Sequence, residues 1–152
     1  MKNNSYKRIL VAVDFSENSE IAINKALQIA RLSDAELHLV HFVEVPIYPV
    51  LEDIAVMGIP GLWDESITKD MLEASSKKLS QLATKFKISQ FESMAGIAEN
   101  DIVDYAERKK CDLVVMGAHG LSGIKRLIGS TTNAVINHAN CDVLAVRIHS
   151  EK

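Results

Sequence analysis

The chain is 152 residues long, 47% hydrophobic and 24% charged, with a formal net charge of −3. These values suit one globular domain with a sizeable core. The acidic balance argues against nucleic-acid binding driven by phosphate contacts. No apolar run approaches the roughly 20 residues of a membrane span. The polar start, Met1 to Arg8, lacks the apolar segment of a signal peptide. Two cysteines, Cys111 and Cys141, supply neither a disulfide framework nor a metal-ligand cluster, so a reduced, cytoplasmic compartment is expected.

Tyr6 to Asp14 reads as a first strand, apolar on both faces like a central parallel strand. It ends at Asp14-Phe15-Ser16. Ser16 or Asn18 is placed to cap the helix that follows, with Glu17 and Glu20 in its first turn and Ile21, Ala22, Leu27, Ile29 and Ala30 on its apolar face. Ser33-Asp34 is a turn, and Glu36 to Val43 a second strand. From Glu44 to about Ser66 the pattern breaks, with Pro46, Pro49, Gly58, Pro60 and Gly61 among large apolar residues. A connection of this length and apolarity either covers a site as a lid or packs as an apolar flap.

Ile67 to about Phe86 is a long helix with Met71, Leu72, Leu79, Leu82 and Phe86 available for burial. Gln90 to Met94 is a weak strand ended by Gly96. A helix follows from Asn100 or Asp101 to Lys110, its basic residues at its end as the helix dipole favours. Cys111 to Met116 is a buried strand, and Cys141 to Ile148 a fifth strand. Strands alternating with helices mean a parallel sheet covered on both faces, with its ligand at the carboxyl ends of the strands where strand order switches. With the first and fourth strands as neighbours there, Asp14 and Gly117 face one crevice.

Between the fourth strand and the last helix runs Met116-Gly117-Ala118-His119-Gly120, continuing to Gly129-Ser130-Thr131-Thr132. Glycines let backbone N–H groups approach a ligand, and a helix N-terminus adds unpaired donors and a partial positive charge. The combination suits phosphate. The plainer alternative is a loop in which Ser130 or Thr131 caps the helix. A dinucleotide fingerprint belongs after the first strand, where Asp14-Phe15-Ser16-Glu17 has no glycine. A P-loop needs a lysine where Gly129-Ser130-Thr131 has none. A phosphorylated receiver domain needs an aspartate ending the third strand, where only Glu92 stands. His38 and His41 are three apart on a strand and point to opposite faces, so they form no metal pair. His138 and Cys141 are too few for zinc. Lys125 and Arg126 read as a solvated loop face or as charge for a phosphate. No catalytic set is legible.

Taken together, Ile9 to Ser16, Leu39 to Phe42, Asp112 to Gly120, Gly129-Ser130-Thr131 and Cys141 to Arg147 resemble the universal stress protein family over nearly the whole chain. The resemblance implies a single doubly wound α/β domain over residues 1–152, with a five-stranded parallel sheet in the order 3-2-1-4-5 and helices on both faces. It implies a homodimer joined through the C-terminal strand, a sensing or signalling role through protein partners still to be identified, and at most slow, incidental ATP hydrolysis. The family's ATP-binding branch carries Gly-x2-Gly-x9-Gly-Ser or Gly-Thr. By that likeness ATP, with magnesium accompanying it, would meet Ala12, Asp14, Phe42, Met116, Gly117, His119, Gly120, Gly129, Ser130 and Thr131. Asp14 would sit near the adenosine, the Phe42 backbone at the base, and Gly117, Gly120, Gly129, Ser130 and Thr131 at ribose and phosphates. One departure stands out: eight residues, Leu121 to Ile128, separate Gly120 from Gly129. Either the loop absorbs the missing residue around Ser122-Gly123, or its donors are drawn off the phosphates and the chain is a nucleotide-free dimeric interaction module.

Overall fold

The strand β1 (Arg8–Ala12) lies in the middle of a five-stranded parallel sheet, and Ile9, Leu10 and Val11 are wholly buried. A strand covered on both faces is apolar throughout, which is why its sequence shows no alternation. The structure is a computed structural model that describes residues 5–44, 65–119 and 128–148. Along the chain follow α1 (Glu17–Ser33), β2 (Glu36–Val43), α2 (Glu65–Phe86), β3 (Gln90–Ala95), α3 (Ala98–Arg108), β4 (Leu113–Gly117), α4 (Ser130–His138) and β5 (Asp142–Val146). The strand order is β3-β2-β1-β4-β5, the order that the family resemblance implies.

Alternation of side chains across β1 divides the core in two. Ile9, Val11 and Val13 face α1 and α2, where they meet Ala22, Ile23, Ala26, Leu79 and Ala83. Leu10 and Ala12 face α3 and α4 with Val40, Val114 and Met116, against Ile102, Tyr105, Ala106 and Val135. Leu79 is fully buried, and truncating such a side chain to alanine costs about 2–5 kcal/mol. On α1 the buried apolar residues are Ile23 and Ala26 as well as the expected Ala22 and Ala30, while Ile21, Leu27 and Ile29 pack at the margin.

Three helix ends turn on residues other than glycine in the left-handed region: Asp34 at φ 54, Lys87 at φ 57 and Lys110 at φ 55. The next residue's N–H closes each turn, from Ala35 to the Ala30 carbonyl, from Ile88 to Ala83 and from Cys111 to Ala106. Several boundaries differ from the sequence reading, among them β1, which runs Arg8–Ala12 within the expected Tyr6 to Asp14, and two have a local cause. Helix α3 begins at Ala98, because Asp101 acts from inside the first turn: its Oδ2 accepts the N–H of Ile97, the N-cap residue, at 2.6 Å. A Cβ on Gly96 would stand 2.1 Å from that same oxygen, which is why a glycine precedes the helix. Strand β5 is Asp142–Val146, shorter than the apolar run from Cys141 to Ile148, because its pairing with β4 runs from Leu113↔Asp142 to Gly117↔Val146.

Candidate functional site

Neighbouring strands β1 and β4 leave the sheet in different directions, β1 toward α1 and β4 toward the glycine-rich loop and α4. Asp14 and Gly117 therefore do face one crevice. A cavity of about 500 Å³ opens there, at the carboxyl ends of β1, β2 and β4. The structure brings nine of the ten expected residues into its lining: Ala12, Asp14, Phe42, Met116, Gly117, His119, Gly129, Ser130 and Thr131. Gly120 lies outside the described residues, as do Lys125, Arg126 and the 45–64 part of the apolar connection.

On the β1 side the wall is the turn Asp14-Phe15-Ser16. Asp14 Oδ1 accepts three hydrogen bonds, from the Ser16 N–H at 3.0 Å, from Ser16 Oγ at 2.5 Å and from Ser19 Oγ at 2.7 Å. One carboxylate oxygen is thus held by the protein, and Asp14 lines the cavity. Ser16 is the N-cap residue of α1, yet its side chain makes no capping bond; the hydroxyl is turned to Asp14 instead. Phe15 sits at φ 62, a costly conformation for an aromatic residue and one found where a turn serves a site. Its ring packs 4.4 Å from the His41 ring, and Lys78 Nζ lies 5.7 Å from its centroid.

On the β4 side the wall is the start of α4. Gly129 is the N-cap at φ −60 and ψ 155, with no side-chain cap. Ser130 and Thr131 are inside the helix, so the capping role considered for them is replaced by the glycine backbone. The first-turn N–H groups have no intrahelical acceptors and point toward the cavity end of the helix. Two bonds staple this end to β4: the Gly129 N–H donates to the Ala118 carbonyl at 2.8 Å, and Thr132 Oγ1 donates to the Gly117 carbonyl at 2.8 Å. A helix N-terminus held this way offers donors and partial positive charge to an anion.

Ser19, His41 and Thr132 also line the cavity and were not among the ten expected ligand residues. Ser19 lies five residues after Asp14, one helical turn into α1, where a small hydroxyl can reach back; that spacing was the available signal. His41 donates from Nδ1 to the Val13 carbonyl at 2.7 Å. His38 is on the other face of the sheet, buried against Glu36 with Nε2 2.9 Å from Oε1, so the two histidines stand apart as strand alternation requires. Among the described residues no group of three His, Cys, Asp or Glu side chains is placed to hold a metal ion, and no helix is long and apolar enough to cross a membrane.

A doubly wound sheet with a crevice at its strand switch, an anchored aspartate on one wall and a helix N-terminus on the other, is the α/β architecture whose members place ligands at that crevice. The profile of the universal stress protein family matches residues 5–147, and the chain belongs to that family. It is 36% identical over 148 residues to "Universal stress protein A homolog 2" of Coxiella burnetii, covering 95% of this chain and 97% of that one. It is 34% identical over 150 residues to "Universal stress protein MJ0531" of Methanocaldococcus jannaschii, covering 95% of this chain and 84% of that one. Among solved structures, the "hypothetical protein MJ0577" superposes with a TM-score of 0.76 at 25% identity, over 96% of this chain and 99% of that one. A universal stress protein solved "in complex with cAMP" superposes with a TM-score of 0.56 at 27% identity, over 94% of this chain and 98% of that one.

Proposed function

We propose that this universal stress protein binds an adenine nucleotide, ATP in the first place, in the crevice between β1 and β4, and that nucleotide occupancy governs its contacts with protein partners in a stress response. The observation that carries the reading is the pairing of Asp14 with the α4 N-terminus across a cavity of about 500 Å³. Asp14 suits ribose hydroxyls, which donate hydrogen bonds. The backbone N–H groups of Ser130 and Thr131 suit phosphate, which accepts them, and Gly129, its own N–H taken by Ala118, keeps the approach free of a side chain. Ala12, Phe42 and Met116 give the apolar floor that a base needs. The relative solved with cAMP supports an adenine nucleotide as the ligand class. With no protein ligand set for a metal among the described residues, magnesium would arrive on the nucleotide's own phosphates. The same reading makes the protein a cytoplasmic homodimer closed through β5 and a binder that hydrolyses ATP only incidentally.

The eight-residue interval between Gly120 and Gly129 favours a second reading, a nucleotide-free module that acts through its dimer and its apolar Glu44–Ser66 segment. Mass spectrometry of small molecules released from the purified, denatured protein separates the two. Stoichiometric adenine nucleotide supports the first. Its absence, together with no thermal stabilisation by added ATP, supports the second.

A further inference from the structure

Phe15 stands between Asp14 and Ser16 on the β1 wall, yet it forms no part of the cavity lining. It lines a separate groove of about 380 Å³ between α1 and α2. Its φ is 62. Asp34, Lys87 and Lys110 are also left-handed, but each closes the end of a helix and lets the next N–H return to it. Phe15 comes before a helix and closes none. What its turn delivers is Ser16, whose N–H and hydroxyl both donate to Asp14 Oδ1. A left-handed backbone is unfavourable for a residue with a Cβ. It persists only where the surroundings over-determine it.

Here the ring does the holding. The Phe15 and His41 ring centroids are 4.4 Å apart, with the planes tilted by 46°. Lys78 Nζ, from α2, lies 5.7 Å from the Phe15 centroid, within cation–π range. His41 is itself fixed, its Nδ1 donating to the Val13 carbonyl at 2.7 Å. One histidine therefore grips both neighbours of Asp14, Val13 by a hydrogen bond and Phe15 by its ring. We propose that Phe15 is a positioning residue for Asp14: its ring, seated on His41, keeps the turn left-handed and so keeps both Ser16 donors on the carboxylate. Ser19 holds the same oxygen from α1, so the ring governs the Ser16 bonds and not the whole anchor. The consequence for a ribose rests on the nucleotide reading above; the turn itself does not.

Two experiments test the turn and its consequence separately. In the unliganded protein, NMR should detect a through-hydrogen-bond coupling between the Ser16 backbone nitrogen and the Asp14 carboxylate carbon. It should persist in Phe15→Tyr, which keeps the ring, and vanish in Phe15→Ala, which keeps the strain without the ring. Its absence from wild type, or its full retention in Phe15→Ala, overturns the proposal whatever the protein binds. If Phe15→Ala does not fold, Phe15→Gly, which lacks both ring and strain, takes its place: the coupling should weaken, and an undiminished coupling overturns the proposal. In calorimetric titrations, Phe15→Ala should weaken ATP by about fivefold or more while leaving 2′,3′-dideoxy-ATP, which lacks the ribose hydroxyls, within about twofold. Phe15→Tyr should bind ATP as wild type does. Equal losses for the two ligands mean general damage and overturn the positioning role, as does wild-type ATP affinity in Phe15→Ala. If the wild-type protein binds no ATP, or binds both ligands alike, the Asp14 contact of the nucleotide reading fails, and the NMR coupling alone decides whether Phe15 sets the turn.

Discussion

Asp14 and Ser19 form a closed pair: the backbone N–H of Asp14 donates to Ser19 Oγ at 2.9 Å, and Ser19 Oγ donates to Asp14 Oδ1 at 2.7 Å. With Ser19 only 3% exposed, water cannot easily replace the hydroxyl. The pair ties the end of β1 to α1 and presents the carboxylate to the cavity. Ser19→Ala should cost about 1–3 kcal/mol of stability in urea unfolding and weaken nucleotide binding, although Ser19 belongs to the wall and not to the expected ligand set. A change below about 0.5 kcal/mol would show that Ser16 alone holds Asp14.

The two glycines at the ends of the loop should behave differently on substitution. A methyl group on Gly117 meets Asn18 Cβ at 2.9 Å, so Gly117→Ala should destabilise the fold by about 1–3 kcal/mol through overpacking. Gly129 is at φ −60, where any residue is at ease, so a side chain there carries no left-handed strain. Gly129→Val should keep the helical circular dichroism signal while abolishing thermal stabilisation by ATP, because the added methyls stand where the phosphates would approach. A Gly129→Val protein that still shifts with ATP like wild type would place the phosphates elsewhere.

Burial pushes the Cys111 thiol up from 9.0 to about 11, and burial likewise raises the Cys141 thiol and the Tyr105 phenol. Each group is held neutral by the fold. Its contribution to stability is fully present below the unfolded pKa and is lost as pH rises through the folded one. For Cys111 that window runs from about pH 9 to about pH 11, so the unfolding midpoint in urea should fall across it. Cys111→Ala should flatten part of the fall. In the native protein near neutral pH, Cys111 should resist alkylation by iodoacetamide and react only on unfolding; rapid native labelling would contradict the burial.

Much of this was legible because the signals are local. Ile9 to Val13 is apolar without alternation, so a central strand could be read from it. Gly129 followed by Ser130 announces a helix start after a loop. The strand order and the meeting of Asp14 with Gly117 came from the family resemblance and the switch-point rule, since β1 and β4 are about a hundred residues apart and no local pattern encodes their pairing. The features that escaped are side chains whose role depends on a distant backbone atom. Asn18 meets the His119 carbonyl and Thr132 the Gly117 carbonyl, and a polar residue in a first helical turn looks the same in sequence whether it caps, faces water or holds a loop. Ser16 shows the opposite error: it stands at the N-cap as its type suggests, yet its hydroxyl serves Asp14.

Strand β5 is at one edge of the sheet and pairs only with β4 among the described residues. Val143, Leu144 and Ala145 are half-buried there. An edge with apolar side chains and open backbone groups is a template for a second strand, and antiparallel pairing with the β5 of another copy would close it. Sedimentation at micromolar concentration should therefore show a dimer. Asp142 opens β5 and accepts from Tyr6 at its start, so disruption is better aimed at the centre of the strand. Val146 turns its carbonyl to Ala118 on the β4 side, so by alternation Leu144 also faces β4 and Ala145 faces the open edge; Ala145→Pro removes a donor on that edge and should give a monomer if the edge is the interface. A wild-type monomer peak would count against this closure.

The spacing between Gly120 and Gly129 permits the sharpest test of the nucleotide reading. A ligand that binds only the folded state raises stability by mass action, by about 2.7 kcal/mol at a hundred times its dissociation constant. For a chain of this length that is a rise of several degrees in Tm. Inserting one residue between Gly123 and Ile124 restores the nine-residue interval of the ATP-binding pattern without touching Gly129, whose N–H is already fixed on Ala118, or Thr132, which is fixed on Gly117. Because those two bonds hold the α4 N-terminus independently of loop length, the short loop should be tolerated. Wild type should shift with millimolar ATP, and the insertion should add little. A wild-type protein that fails to shift while the insertion gains several degrees would mean that the loop donors, and not the helix N-terminus, carry the phosphate. No shift in either protein, with both folded, would remove ATP from the account and leave the dimeric interaction module.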